Sequence, residues 1–290
     1  MRIGALEAGG TKMVCAVGEE NGRIETEIQI PTETPAVTLP KIAQFFHENS
    51  IEALGIGCFG PIDLRKDSAT YGFITSTPKT AWQNCDIVGY FKKELGIPIG
   101  FDTDVNASLL GECCFGAGIG LTDCLYLTVG TGIGAGILSG GSLVHGMLHP
   151  EAGHCQVQRV PDDSYKGHCP YHPSCLEGFT CGPAMEERWG KRPNELPEDH
   201  IAWVWEADYL GQALSDYIFI LSPQKIILGG GIMEQRQLFP LIRKKVSSQL
   251  NSYLRTEELN QMEAYIVPPA CKGRQGILGC LRLGFAALSE

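Results

Sequence analysis

The length, composition and charge of the chain exclude several classes of protein. It has 290 residues, of which 43% are hydrophobic and 19% charged, and its formal net charge is −10. This composition is typical of a folded globular protein, and the length is sufficient for two modest domains or one large one. An acidic chain repels nucleic acid and anionic lipid, and no apolar run approaches the roughly 20 residues of a membrane helix. We therefore expect a cytoplasmic protein without a nucleic-acid or membrane partner.

The first half of the chain predicts three strands followed by alternating helices and strands. Glycine pairs and an Asn-Gly turn separate the first three strands, as in β-hairpins. Apolar periodicity then indicates helix and strand in turn. The predicted strands are 3–6, 13–17, 24–30, 53–58 and 97–101, and the predicted helices are 39–47, 88–95 and 107–115. This order implies a mixed sheet flanked by helices.

The second half of the chain opens in the same way. Two strands enclose a glycine turn, a Gly-Gly hairpin leads to a third strand, and strands and helices return later. The predicted strands are 123–129, 133–138, 143–145, 225–228 and 264–267, and the predicted helices are 233–250 and about 275–288. The repetition indicates an internal duplication. Two similar halves would leave a cleft between them that suits a phosphate chain.

Three glycine-rich segments are candidates for binding phosphate. Gly9 and Gly10 join two strands, and Gly130–Gly132 do the same in the second half. Glycine lets backbone N–H groups approach an anion closely. Neither turn is a Walker A or Rossmann loop, because neither opens a helix. Gly229–Gly231 do precede a predicted helix, whose N-terminus could meet an adenosine or its phosphate. Each segment alone could be an ordinary turn, but the three together favour phosphate binding.

Two acidic residues and an amide, Asp102, Asp104 and Asn106, lie between an apolar strand and a helix. Such residues often do no more than cap a helix. Clustered at the carboxyl end of a strand, they also suit a ligand site. A carboxylate placed there could orient a hydroxyl group and take its proton.

A group of cysteines and histidines predicts a metal site. Most of the 12 cysteines lie in apolar stretches and are expected to be buried, but Cys169, His172 and Cys175 form a C-x₂-H-x₂-C pattern downstream of His154. Sulfur and imidazole ligands at this spacing suit a tetrahedral Zn²⁺, and four of them would close the shell as in a structural site. The neighbouring candidates for the same role are His149, Cys155, His168 and Cys181.

These motifs together resemble the ROK family (repressor, open reading frame, kinase), in family order over the whole chain, and the metal-ligand spacing resembles its fructokinase branch. The motifs are Glu7–Lys12, Asp102–Ala107, Gly130–Gly136, Glu151–His154 and Gly229–Gly231. The resemblance implies an α/β, duplicated ribonuclease-H-like (actin-like ATPase) fold with two domains around a cleft. Residues 1–120 and a C-terminal helix at about 275–290 would form one domain. Residues 121–274 would form the nucleotide-binding domain with its zinc loop.

The resemblance also implies an activity, the phosphorylation of fructose at its 6-hydroxyl by MgATP in a homodimer, with Asp104 as the general base. The implied sugar contacts are Gly60, Pro61, Asn106, Glu151, His154 and Glu177. The implied nucleotide contacts are Gly9, Gly10, Thr11, Lys12, Gly130, Thr131, Gly132, Pro183, Gly230 and Gly231. The implied ligands of a structural zinc are His154, Cys169, His172 and Cys175. Many relatives begin the first loop with Asp where this chain has Glu7, which leaves the geometry of a magnesium contact open.

Other functions remain open on the sequence. Glucose or mannose could replace fructose, since hexoses differ in hydroxyl orientation. A sugar-sensing repressor would need an N-terminal DNA-binding domain, for which a first strand at about residue 3 leaves no room. A zinc hydrolase using Glu151 and His154 would need an open metal position. Lys12 could be a solvated surface cation, and Glu177 could be a salt-bridge residue.

Overall fold

The computed structural model describes residues 1–289, which divide into two compact units. Unit 1 comprises Met1–Gly120, Leu143–Pro150 and the chain from Ala270 onward, and unit 2 comprises Leu121–Ser142 and Glu151–Pro269. The segment Leu143–Pro150, which the sequence assigned to the second domain, therefore belongs to unit 1. Within residues 1–289, no helix is long and apolar enough to cross a bilayer.

Unit 1 is built on a five-stranded sheet. Its elements are β1 (Ile3–Ala8), β2 (Lys12–Gly18), β3 (Ile24–Pro31), α1 (Pro35–Asn49), β4 (Ala53–Cys58), β5 (Phe73–Ile74), β6 (Cys85–Asp86), α2 (Ile87–Leu95), β7 (Ile99–Thr103) and α3 (Asp104–Phe115). The sheet order is β3-β2-β1-β4-β7, and β5 pairs with β6 separately. The first three strands are antiparallel, whereas β4 is parallel to both β1 and β7. The central strands β1 and β4 are buried almost throughout, because helices cover both faces of the sheet.

Unit 2 repeats this sheet. Its elements are β8 (Cys124–Val129), β9 (Ile133–Ser139), β10 (Ser142–Leu143), α4 (Leu176–Thr180), α5 (Gly182–Trp189), α6 (Ile201–Leu221), β11 (Lys225–Gly229), α7 (Leu238–Leu250), α8 (Glu257–Asn260), α9 (Met262–Tyr265) and β12 (Ile266–Val267). The order is β10-β9-β8-β11-β12, so each sheet reads third, second, first, fourth, fifth strand. The shared order confirms the predicted duplication.

Several predicted elements differ from the structure. The helix predicted at 233–250 is split, because a 3₁₀ turn occupies Gly231–Glu234 and α7 begins only at Leu238. The strand predicted at 143–145 ends at Leu143, and the strand predicted at 264–267 is reduced to β12. Helix α6 was not predicted at all. Twelve of its 21 residues are buried, so it lacks the single apolar stripe that marks an amphipathic helix.

The last helix, α10 (Gln275–Ala286), packs on β4 and α3 at backbone distance. A Cβ atom on Gly55 of β4 would lie 1.8 Å from the carbonyl oxygen of Cys280. A Cβ atom on Gly279 would lie 1.6 Å from the carbonyl oxygen of Ala107 in α3. Only glycine permits such a close approach at these two positions. Glu290, the last residue of the predicted segment 275–290, lies outside the described residues.

A buried carboxylate ties α3 to the segment that leads into α10. The side chain of Glu112 lies within α3 and is fully buried. Its Oε2 accepts the backbone N–H groups of Ala117 at 2.8 Å and Ala270 at 3.0 Å, and its Oε1 accepts that of Cys271 at 2.9 Å. Buried backbone donors rarely lack an acceptor, and this side chain supplies one for the buried N–H of Cys271. It also binds the N–H of the partly buried Ala117 and that of the exposed Ala270, and so ties the three backbone segments together.

Candidate functional site

The start of α3 presents Asp104 at the carboxyl end of β7. The helix is capped by Thr103, whose Oγ1 accepts the Asn106 N–H at 3.1 Å. The capping role that the sequence left open for the acidic residues therefore belongs to a threonine. Asp104 is the first residue of the helix and is partly buried, and its Oδ1 accepts the N–H of Val105 at 2.9 Å. Its carboxylate sits at a sheet edge where α/β proteins commonly bind ligands.

Asp102 is buried beneath this helix start and orients Asn106. Its Oδ1 accepts the side-chain amide of Asn106 at 2.6 Å and the Thr103 N–H at 2.8 Å. Its Oδ2 lies 2.8 Å from Nε2 of His145. The amide oxygen of Asn106, buried like the rest of its side chain, finds no hydrogen-bond partner within residues 1–289. The hydrogen bond to Asp102, together with its charge, raises the pKa of His145.

A second histidine holds the turn that follows β4. The Gly60–Pro61 peptide bond is cis, and the next N–H, that of Ile62, donates to Nε2 of His149 at 3.2 Å. Since Nε2 accepts, the proton of the neutral ring is on Nδ1. Burial lowers the pKa of His149, which favours this neutral form. Sequence reasoning missed His145 and treated His149 only as a competing metal ligand, because no motif indicated that Leu143–Pro150 packs with unit 1.

The turn between β1 and β2 offers two unused backbone donors. The N–H of Gly9 closes the turn by donating to the carbonyl of Lys12 at 3.1 Å. The next two N–H groups, those of Gly10 and Thr11, have no acceptor in the described part of the chain. Successive free N–H groups in a turn form a concave binding site for an anion. The turn of unit 1 therefore has the donors that the predicted phosphate contact would need.

The corresponding turn of unit 2 has the same hydrogen-bond pattern. The N–H of Gly130 donates to the carbonyl of Gly132 at 3.0 Å, and among described residues the N–H groups of Thr131 and Gly132 have no acceptor. The carbonyl of Gly130 accepts the N–H of Gly182, the first residue of α5, at 2.7 Å. A Cβ atom on Gly130 would lie 4.0 Å from the nitrogen of Gly231. The three predicted nucleotide-binding segments of unit 2 therefore lie together.

The glycine segment after β11 differs from the prediction in one respect. Gly230 has φ of 90°, and a Cβ atom on it would lie 2.3 Å from the carbonyl oxygen of Val129. The residues that follow form the 3₁₀ turn, and α7 begins seven residues after Gly231. The prediction that a helix begins directly after Gly231 is therefore wrong. Pro183 lies in the first turn of α5, where its missing N–H costs nothing.

Glu177 lies between the glycine turn of unit 2 and a histidine of the predicted metal site. It belongs to the first turn of α4, and its Oε2 accepts the N–H of Ile133 at 2.8 Å. Its Oε1 lies 4.0 Å from Nε2 of His154. Glu151 is exposed just before the 3₁₀ turn Ala152–His154, and its carbonyl accepts the His154 N–H at 3.0 Å.

The four predicted metal ligands converge. The ligand atoms of His154, Cys169, His172 and Cys175 all lie within 4.8 Å of one another. Nδ1 of His154 is 3.9 Å from Sγ of Cys169 and 3.8 Å from Sγ of Cys175, and Nδ1 of His172 is 3.5 Å from Sγ of Cys169. Tetrahedral zinc with ordinary bond lengths requires sulfur and nitrogen ligands about 3.6 Å apart. His154 thus directs Nδ1 to the cluster and Nε2 toward Glu177.

The competing cysteines and histidines lie elsewhere. Nδ1 of His168 is 2.8 Å from Oε1 of Glu187. Cys155 is exposed, and Cys181 is buried at the start of α5. The set of four that the family resemblance implies is therefore the set that the structure brings together.

The duplicated sheet and these motifs define the class of the protein. A model of the ROK family matches residues 3–284, and the chain belongs to the ROK family. A provisionally named fructokinase of Bacillus subtilis (strain 168) is 51% identical over 289 residues, which cover 99% of this chain and 96% of that protein. A fructokinase of Pediococcus pentosaceus is 43% identical over 290 residues, which cover 100% of both chains. The solved structure of a ROK hexokinase from Thermus thermophilus matches with a TM-score of 0.79 at 24% identity, over 100% of this chain and 99% of that chain. The predicted family and fold are confirmed.

Proposed function

We propose that the protein transfers the terminal phosphoryl group of MgATP to the 6-hydroxyl of fructose. The observation that carries this proposal is the full-length match to proteins named fructokinase. The site supports the reaction class independently. Two turns with paired free N–H groups suit phosphates, and a carboxylate at the start of a helix suits the activation of a hydroxyl.

In this proposal Asp104 is the general base. A sugar hydroxyl is a poor nucleophile at neutral pH, so a carboxylate that accepts its proton during attack on phosphorus lowers the barrier. The carboxylate is not needed to cap α3, because Thr103 does so. Asn106 would bind the sugar in the orientation that Asp102 imposes on its amide. Gly60 and Pro61 would form the adjoining wall of the pocket, held by His149.

The remaining sugar contacts would come from unit 2, where Glu177 reaches both Ile133 and the ring of His154. The converging glycine segments of unit 2 would bind the nucleotide, and the turn of unit 1 is a further proposed phosphate contact. The residues proposed for this role are Gly9, Gly10, Thr11, Lys12, Gly130, Thr131, Gly132, Pro183, Gly230 and Gly231. The remaining residues proposed to contact sugar hydroxyls are Glu151, His154 and Glu177.

Two metals belong to the proposal. Mg²⁺ bound with ATP would neutralise phosphate charge, with Glu7 at the end of β1 as a carboxylate that could face it through water. Zn²⁺ would be structural, because His154, Cys169, His172 and Cys175 supply a complete two-nitrogen, two-sulfur donor set. Such a site would fix the loop that carries His154. As in the implied family architecture, we propose a sugar-binding and a nucleotide-binding domain and a homodimer.

The proposal is tested by ADP release from MgATP with fructose, glucose, mannose and N-acetylmannosamine. We expect the highest kcat/KM with fructose, and a product that a fructose-6-phosphate-specific coupling enzyme accepts. Asp104→Asn should lower kcat by about 10² to 10⁴, the range of general base catalysis. Asp67→Asn, at an exposed position of unit 1, is the matched control and should behave as wild type. If no sugar stimulates ADP release, the kinase proposal is rejected. If Asp104→Asn retains full kcat, the assignment of the base is rejected.

A further inference from the structure

We infer that Lys79 supplies the cation that neutralises the transferred phosphoryl group at the β1–β2 turn. This inference rests on the proposed function and deepens it, since sequence reasoning had only Lys12 as a candidate cation. The terminal methylene carbon of Lys79, Cε, would lie 3.0 Å from a Cβ atom on Gly10. The end of this lysine therefore lies over the turn whose Gly10 and Thr11 N–H groups have no acceptor in residues 1–289.

The backbone of Lys79 is held in place by its neighbours. Its N–H donates to Oγ1 of the buried Thr77 at 3.3 Å, and its carbonyl accepts the N–H of Trp82 at 2.8 Å. Trp82 is 1% exposed, and its indole N–H donates to the carbonyl of Glu33 at 2.7 Å. These bonds fix the backbone from which the side chain starts, and the flexible lysine stem lets the ammonium reach an anion bound at the turn.

The ammonium group of Lys79 lacks a counterion in the described part of the chain. Its side chain is partly buried, yet it makes no ion pair or side-chain hydrogen bond within residues 1–289. An ammonium without a counterion beside a turn with unused N–H donors is suited to bind an arriving anion. Lys12, in contrast, is exposed, and its Nζ already donates a hydrogen bond to Oε1 of Gln29 at 3.3 Å.

The chemistry assigns Lys79 a purely electrostatic role. As the sugar oxygen forms its bond to the γ-phosphorus, the bond from that phosphorus to the β–γ bridging oxygen breaks, and ADP leaves with the electron pair. The hydroxyl proton goes to Asp104. Charge is spread over the three oxygens of the transferred group during this step. An ammonium aimed at those oxygens stabilises them without gaining or losing a proton.

The test compares a neutral with a charged replacement. Lys79→Met keeps the apolar stem and removes the charge, and Lys79→Arg keeps the charge. Lys93→Met, at an exposed position of α2, is the matched control. We expect Lys79→Met to lower kcat/KM for MgATP by about 100-fold, the usual loss on removing one charge-stabilising group. Lys79→Arg should stay within about tenfold of wild type, and Lys12→Met should lose less than Lys79→Met.

Binding provides a readout that does not depend on turnover. Calorimetry should show that Lys79→Met weakens AMP-PNP by about tenfold but changes the Kd of ADP by less than about twofold, because only the former has a terminal phosphoryl group. Equal effects on the two nucleotides would overturn the inference, as would a folded Lys79→Met with wild-type kcat/KM. If Lys79→Met does not fold, Lys79→Gln takes its place in the same comparison. If the wild type phosphorylates no sugar, the proposed function fails, while the AMP-PNP and ADP comparison still decides the role of Lys79.

Discussion

Replacing Glu112 should destabilise unit 1 more than any ordinary surface change. In Glu112→Ala, three backbone N–H groups lose their acceptor, two of them bound to Oε2 and one to Oε1. A buried donor left unsatisfied costs about 1–3 kcal/mol, and this cost applies in full to the N–H of Cys271. The N–H groups of the partly buried Ala117 and the exposed Ala270 can recover part of it from water. The three costs are not additive, since the space vacated by the side chain can admit water. We therefore expect the free energy of unfolding to fall by about 3 kcal/mol.

The conservative variant refines this prediction. Glu112→Gln has one acceptor oxygen, which can retain the two N–H groups now bound to Oε2. Its amide NH₂ would then face the N–H of Cys271, so that N–H loses its acceptor and two donors oppose each other. We expect a loss of about 2 kcal/mol, intermediate between wild type and alanine.

Urea unfolding followed by far-ultraviolet circular dichroism measures both values. Glu94→Ala, at an exposed position of α2, is the control and should change the free energy of unfolding by less than about 0.5 kcal/mol. The reasoning is refuted if Glu112→Ala lies within about 1 kcal/mol of wild type, because the three backbone groups would then have found other partners.

Three further predictions concern the site. The hydrogen bond to Asp102 raises the pKa of His145 above 6.5, so this pair contributes its full stability below about pH 6.5 and loses it as pH rises through the raised pKa. His145→Gln should therefore reduce the difference between the Tm values at pH 6 and pH 9, and an unchanged difference would contradict the pairing. Gly230→Ala introduces a Cβ atom against the carbonyl of Val129 at a φ of 90°, and we expect a loss of about 2 kcal/mol with a higher KM for MgATP. Wild-type Tm and KM would show that the backbone there adapts. Elemental analysis should find one zinc per chain in the wild type and less in Cys175→Ser, whose loop should be cleaved faster by trypsin; zinc-free but protease-resistant wild type would refute a structural zinc.

The sequence predicted those parts of the fold that have a local signal. The strands and turns around Gly9 and Gly130 were correct, because alternating apolar residues and glycine pairs mark them directly. Helix α6 was missed because it is buried on most of its faces, and the helix expected at Met233 began later because the Gly231–Glu234 turn precedes it. A pattern of period 3.6 does not reveal either feature.

In the candidate site too, residues close together in the sequence were predicted, whereas pairs far apart in the sequence were not. The cysteine and histidine set was found because its members lie within 22 residues of sequence. His145 and Asp102 are 43 residues apart, and Glu112 and Ala270 are 158 apart. Lys79 reaches Gly10 from a separate loop. No local pattern predicts such pairs, because each depends on how distant elements pack.

The close contact of α10 with β4 and α3 affects the order in which the chain can complete its folding during synthesis. β4 and α3 are translated early, but the helix that covers them follows the whole of unit 2 in the chain. The backbone surface around Gly55 and Ala107 therefore stays uncovered while Leu121–Pro269 is being made. Domains tend to fold as units as they leave the ribosome, and exposed apolar surface in a partial domain favours aggregation. Unit 1 can thus complete its native packing only after the last residues of the chain have been made.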